Sequence, residues 1–143
     1  MQKGQVYYLP TLDLYLYVVF DKICAVVHTN KHLALLGDVV VPESESPTHT
    51  TLVVSCDLVQ TVDLSGVGKE LIGELPEKKQ LEVEQKIKAA RDFILSPPQN
   101  EVGYLGLLPR NPKQFTWVRQ LRAILAAKLE QLHPLVKVAE GRL

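Results

Sequence analysis

The stretch Val53-Val54-Ser55-Cys56-Asp57-Leu58-Val59-Gln60-Thr61-Val62-Asp63 does most to limit what this chain can fold into. Val and Thr dominate it, and β-branched side chains suit a pleated surface while losing freedom against the preceding turn of a helix. Cys56-Asp57 breaks the run and sets a carboxylate in mid-sheet. The chain then turns at Ser65-Gly66, resumes through Leu71-Ile72 and reaches Pro76. A proline there suits the first position of a helix, where its missing N–H has no intrahelical partner to lose.

The segments before this stretch read the same way. Val6-Tyr7-Tyr8-Leu9 is a short aromatic strand closed by Pro10. Leu14 to Phe20 and Ile23 to Val27 form a hairpin about Asp21-Lys22, and Val39-Val40-Val41 ends at Pro42. His28 to His32 is a polar loop, and Glu43 to Pro47 is an exposed acidic one. Several short strands with turn signals and no alternating helices predict a small barrel or sandwich, not a parallel α/β sheet.

Helices come late. Leu81 or Val83, Ile87, Ala90 and Ile94 recur at spacings of three and four, predicting a helix from Pro76 to Leu95 that Ser96-Pro97-Pro98 ends. Ser96 to Pro112 reads as a linker or an ordered meander carrying Tyr104-Leu105-Gly106-Leu107-Leu108. From Lys113 to Leu132 a second helix places Trp117, Val118, Leu121, Ile124, Leu125, Leu129 and Leu132 on one face. Arg119, Arg122 and Lys128 flank or oppose that face and are expected to meet water, and Pro134 is expected to stop the helix.

The 143 residues suffice for one core, and a hydrophobic share of 46% with 22% charged residues is that of a folding chain, not a disordered one. Sixteen basic residues balance sixteen acidic ones, so net charge makes no general case for nucleic acid. The balance is uneven along the chain. Residues 1–95 hold 9 Lys/Arg against 13 Asp/Glu, and residues 96–143 hold 7 against 3. Cys24 and Cys56 lie in apolar runs and read as buried free thiols. The opening Met1-Gln2-Lys3-Gly4-Gln5 carries no secretory pattern, and the nearest apolar run, Leu14 to Phe20, is far short of a membrane span. A cytoplasmic protein is expected.

Cys56-Asp57-x-x-x-Thr61-Val62-Asp63, with Gly73-Glu74-Leu75 ahead of a helix, resembles the C-terminal half of MazF/PemK/Kid-type toxins, and Gly4 with Val6-Tyr7-Tyr8 resembles the family's opening. Those proteins are small barrel-like ribonucleases of toxin–antitoxin pairs. The resemblance covers residues 4 to 95 and implies a mainly β, α+β fold: a small SH3-like barrel in residues 1–95, closed by a helix. Residues 96–143 are then a Pro-rich linker and a basic helical extension. It also implies a homodimer, an antitoxin partner, single-stranded RNA as substrate, and neither cofactor nor metal.

RNA cleavage by attack of a 2′-hydroxyl needs a base, an acid for the leaving oxygen, and fixed donors or cations for the phosphate charge. Arginine suits the last role because its planar fork binds phosphate oxygens bidentately. The family supplies one in an Arg-Pro-hydrophobic pattern where this chain has Ile23-Cys24, and some members carry Arg-Cys-Asp where it has Ser55-Cys56-Asp57. Gln60 stands where many have a further Arg, which leaves Lys22 or Lys31 to substitute.

By that resemblance Asp57 keeps its motif position, Ser44 falls near the family's Thr/Ser position, and Pro47-Thr48-His49 resembles a Pro-Thr-His of some members. Asp57, Ser44 and His49 are thus the implied catalytic residues, with Thr48, Lys22 and Lys31 binding RNA. Each also has a plainer reading. Asp57 can cap backbone donors and His49 can be a surface histidine. Tyr7, Tyr8, Tyr15 and Tyr17 can stack on bases or simply fill a core. His28 and His32 lack a third ligand at metal spacing. Three functions remain open: an endoribonuclease, a catalytically degenerate barrel that binds protein or nucleic acid, and a structural or assembly protein.

Overall fold

Apolar runs cut by Pro, Gly and Asp become six strands: β1 (Gln5–Leu9), β2 (Leu14–Phe20), β3 (Ile23–His28), β4 (Val39–Val41), β5 (Leu52–Thr61) and β6 (Glu70–Glu74). Two helices follow, α1 (Glu77–Leu95) and α2 (Phe115–Ala139). The computed structural model describes residues 2–95 and 105–139, with side chains to residue 92 in the first span and to 132 in the second. Every strand pairs antiparallel, in the order β4-β5-β3-β2-β1-β6, and the sheet curls into a half-barrel. The α+β class and the sheet-then-helix order follow the sequence expectation.

The central stretch does not break at Cys56-Asp57. β5 runs through it, but the register against β3 jumps from Val26↔Ser55 to Ala25↔Val59, so Cys56, Asp57 and Leu58 form a wide bulge. A bulge releases residues from the ladder and re-aims their side chains, which is how Asp57 leaves the strand's strict alternation.

Both faces of the sheet are covered. Leu14, Leu16 and Val18 of β2, with Val26 of β3, pack on Leu125, Leu129 and Leu132 of α2. On the other face Tyr17, Ala25, Val27, Val39 and Val54 form one cluster with Val83 of α1. Tyr7 and Tyr17 are buried, whereas Tyr8 and Tyr15 keep their rings together at 4.8 Å on a half-exposed surface. Cys24 and Cys56 are buried and free, and desolvation pushes the Cys24 thiol up to about 12.

Ahead of α2 a strap runs along the 34–38 loop. Leu36 N–H donates to Leu108 O and Gly37 N–H to Gly106 O, each at 2.8 Å, and Arg110 N–H donates to Ala34 O at 3.0 Å. The Arg110 guanidinium adds bonds to Leu35 O and Asp38 O. The expected linker is thus ordered from residue 105 onward; Ser96 to Tyr104 lies outside the described residues.

α2 departs from expectation in three respects. It begins at Phe115, after a 3₁₀ turn at Pro112–Gln114 capped by Asn111, and it continues past Pro134 to Ala139. Pro134 withholds only one backbone donor late in a 25-residue helix whose Leu125, Leu129 and Leu132 are anchored in the core. The buried stripe is also narrower than expected: Val118, Leu125, Leu129 and Leu132 are buried, but Trp117 is 61% and Ile124 54% exposed. In α1, Val83 and Ala90 are buried while Leu81 is exposed. No described helix is long and apolar enough to cross a membrane.

Candidate active-site pocket and a buried charge cluster

β4 ends at Val41 because Pro42 cannot extend the ladder, and the chain then makes a 3₁₀ turn at Glu43–Glu45. A tight turn over residues 47–50 returns it to β5. These two turns and the 3₁₀ turn Lys31–Leu33 enclose an open pocket of about 640 Å³ lined by Lys31, Pro42, Glu43, Ser44, His49 and Thr51. Three of the residues singled out from sequence, Lys31, Ser44 and His49, therefore share one pocket.

His49 holds a left-handed backbone, φ 59°, a conformation that histidine adopts more readily than most residues. The turn around it is braced by hydroxyls. Ser46 Oγ and Thr48 Oγ1 lie 2.9 Å apart, Thr48 Oγ1 and Thr50 Oγ1 2.7 Å, and His49 N–H donates to Ser46 O at 3.2 Å. Thr48 serves the turn and is not among the residues that line the pocket. β6 supports it from below: a Cβ on Gly73 would sit 2.6 Å from Pro47 Cβ, so only glycine lets the two backbones approach this closely. Ser46 is buried, unlike the rest of the acidic loop.

Asp57 and Lys22 lie elsewhere. Lys22, in the β2–β3 turn, reaches Asp63 Oδ2 at 3.4 Å across a small pocket with Ser65 and Lys69. Hydrogen bonds from the Ser65 side chain and backbone, aided by Lys22, hold the Asp63 carboxyl down at about 2. Asp57, on the β5 bulge, is gripped by Arg122 of α2. Nη1 donates to Oδ1 at 3.1 Å and Nη2 to Oδ2, a two-pronged pair with both side chains mostly shielded. The expectation that Arg122 faces water is corrected: α2 lies on the sheet with its Leu125 side inward, which brings Arg122 over the bulge.

Arg122 belongs to a larger cluster. Asp38 is 2% exposed; its Oδ2 accepts from Leu35 N–H at 2.8 Å, and its Oδ1 has no hydrogen-bond partner among the described residues. Burial pushes this carboxyl up to about 7, with Asp57 adding to the rise while the Leu35 N–H, Arg122 and Arg110 oppose it. His28 is not a loop residue but the buried end of β3, its Nδ1 accepting from Asn30 N–H at 3.2 Å. Burial, with the nearby Arg122 charge, pulls its imidazole down to about 4. His32 is exposed in the 3₁₀ turn, and among the described residues no group of three His, Cys, Asp or Glu could hold a metal.

Arg122→Ala is expected to cost about 1–3 kcal/mol, because it strands a mostly shielded Asp57. Adding Asp57→Asn should recover part of the loss. Urea denaturation of the two single variants and the double variant checks this, and strict additivity would sink the pairing.

The chain matches no protein-family model and no curated protein. Its site is therefore read from geometry and from residue chemistry. From sequence Arg122 is expected to face water, and neither Asp38 nor Arg110 stands out. The one signal that could have found them was an excess of basic residues in the C-terminal third beside acidic residues in the sheet.

Proposed function

We propose that the chain is a MazF/PemK-like small-barrel protein that cleaves single-stranded RNA without a metal, at the pocket of Lys31, Ser44 and His49. The observation that carries this reading is that Lys31, Glu43, Ser44, His49 and Thr51 line one open depression. That set supplies what the reaction needs. A 2′-oxygen attacks the adjacent phosphorus and loses its proton to a base, while the P–O5′ bond breaks and the 5′-oxygen gains a proton from an acid. His49 serves as one of that pair, with Glu43 within the same pocket for the other. Lys31 and the Ser44 and Thr51 hydroxyls meet the charge that builds on the non-bridging oxygens. An antitoxin protein and a second copy of the chain are the partners implied by the same resemblance.

One observation favours a second reading, a degenerate barrel that binds RNA or protein without cutting it. The family's arginine positions hold Ile23 and Ser55, and Ser55 is 1% exposed, on a strand paired on both sides. Lys31 offers a point charge in place of a fork.

Cleavage of a long single-stranded RNA in EDTA separates the two. His49→Ala is expected to lower the rate roughly 10²–10⁴-fold. Lys31→Ala is expected to weaken it by about 10²-fold. Folded wild type that binds RNA and leaves it intact supports the binding module and ends the catalytic reading.

A further inference from the structure

We propose that Thr48 is the positioning residue of this pocket: its hydroxyl, joined to those of Ser46 and Thr50, holds His49 in the left-handed conformation that keeps the imidazole beside Lys31 and Ser44. The inference rests on the catalytic reading above and gives Thr48 a role distinct from direct contact with RNA.

A left-handed backbone costs a non-glycine residue on the order of 1 kcal/mol, and it persists only where the surroundings hold it. Around His49 the holding groups alternate along the chain. Ser46 Oγ accepts from Thr48 N–H at 3.2 Å, and Thr48 Oγ1 accepts from Thr50 N–H at 3.4 Å. Hydroxyl-to-hydroxyl bonds of 2.9 and 2.7 Å join the three side chains across these turns.

Each hydroxyl thus takes the backbone donor two residues on, the local pattern by which Ser and Thr stabilise turns. The His49 N–H is bound in turn by Ser46 O. Both peptide bonds flanking His49 Cα are held by this ladder, and Thr48 is its middle rung. Ser46 is anchored by burial, and Pro47 by the close approach of Gly73. Only Thr48 links the anchored end to exposed Thr50.

The three side chains leave a choice of direction, since either atom of each hydroxyl pair can donate. One consistent run has Ser46 donating to Thr48 and Thr48 to Thr50. Removing the middle hydroxyl breaks the run in either direction and frees the Thr50 N–H, so the turn can relax to an ordinary right-handed or extended form that withdraws the imidazole.

The test compares wild type, Thr48→Val and Thr48→Ser in RNA cleavage across pH 5–9, with His49 amide and imidazole resonances recorded beside them. Val keeps the branched shape and removes the hydroxyl, whereas Ser keeps the hydroxyl. Thr48→Val is expected to lower kcat roughly 10–100-fold with little change in KM, the loss that misplacing a reacting group brings. It should also displace the His49 resonances and the pH limb they follow, and Thr48→Ser should restore both. An active wild type with an unaffected Thr48→Val variant overturns the positioning role alone, as does a Thr48→Ser variant that falls as far as Thr48→Val. An inactive wild type overturns the catalytic reading and this role with it.

Discussion

A chain ending at Leu95 is expected to lose its cooperative fold. α2 is a wall of the core: Leu125, Leu129 and Leu132 share a cluster with Leu9, Leu14, Leu16, Val18, Cys24 and Val26. Without it a whole apolar face of the sheet meets water, and at about 25 cal/mol per Å² even a few hundred Å² of exposure rivals a domain's total stability of about 5–15 kcal/mol. Leu129→Ala and Leu132→Ala in the full chain should each cost about 2–5 kcal/mol, through lost burial and the cavity left behind. The truncated chain should show a shallow, low-amplitude urea transition and bind a hydrophobic dye, while the point variants stay cooperative with lower midpoints. A sharp, native-like transition in the truncated chain would show α2 to be an appendage.

The same face shows how far the sequence could be read. Strands, turns and both helices were legible because each rests on local chemistry: β-branched runs, Pro and Gly stops, and three-four spacing. The role of α2 follows from a subtler signal. Leu14 to Phe20 and Ile23 to Val27 are continuously apolar, with no polar alternation. That pattern marks strands buried on both sides, and α1 can cover only one side. Trp117 and Ile124 went the other way, because periodicity finds an apolar arc without telling which part of it meets the sheet.

The candidate site was legible where the chain is locally continuous. Ser44 and His49 lie five residues apart in one loop, and Lys31 joins them because its turn sits beside the β4–β5 connection. Asp57 shows the limit. A carboxylate in mid-strand signals that something must compensate it, but its partner is 65 residues away on α2. No local pattern carries that distance. The β5 bulge was equally hidden, since the register of β3 against β5 depends on the whole sheet.

The largest pH effect is expected from two buried groups whose contributions oppose one another. Asp38 rises from an ordinary carboxylate value to about 7, so the folded protein keeps its proton where the unfolded chain loses it. Its contribution is complete below about pH 4 and is lost as pH rises through 7, on the order of 4 kcal/mol at 1.36 per pH unit. His28 falls to about 4, so its contribution is complete above pH 6.5 and is lost as pH falls through 4, on the order of 3 kcal/mol. Arg122, Arg110 and Asp57 act on the Asp38 carboxyl, and Arg122 also acts on the His28 imidazole. The Asp63 carboxyl, held down at about 2, adds a contribution that is present above the ordinary carboxylate value and lost as pH falls below it, at the acid edge of this window. Between about pH 5 and 6.5 the Asp38 and His28 contributions nearly cancel, so their net effect on wild-type stability should be small there. Asp38→Asn unmasks the histidine, and stability should then rise with pH. His28→Gln unmasks the aspartate, and stability should then fall over the same range. Urea denaturation at half-unit steps from pH 4 to 8 reads all three slopes. Two variants with slopes of the same sign would contradict the opposition, because the cancellation exists only if burial pushes the carboxyl up and the imidazole down.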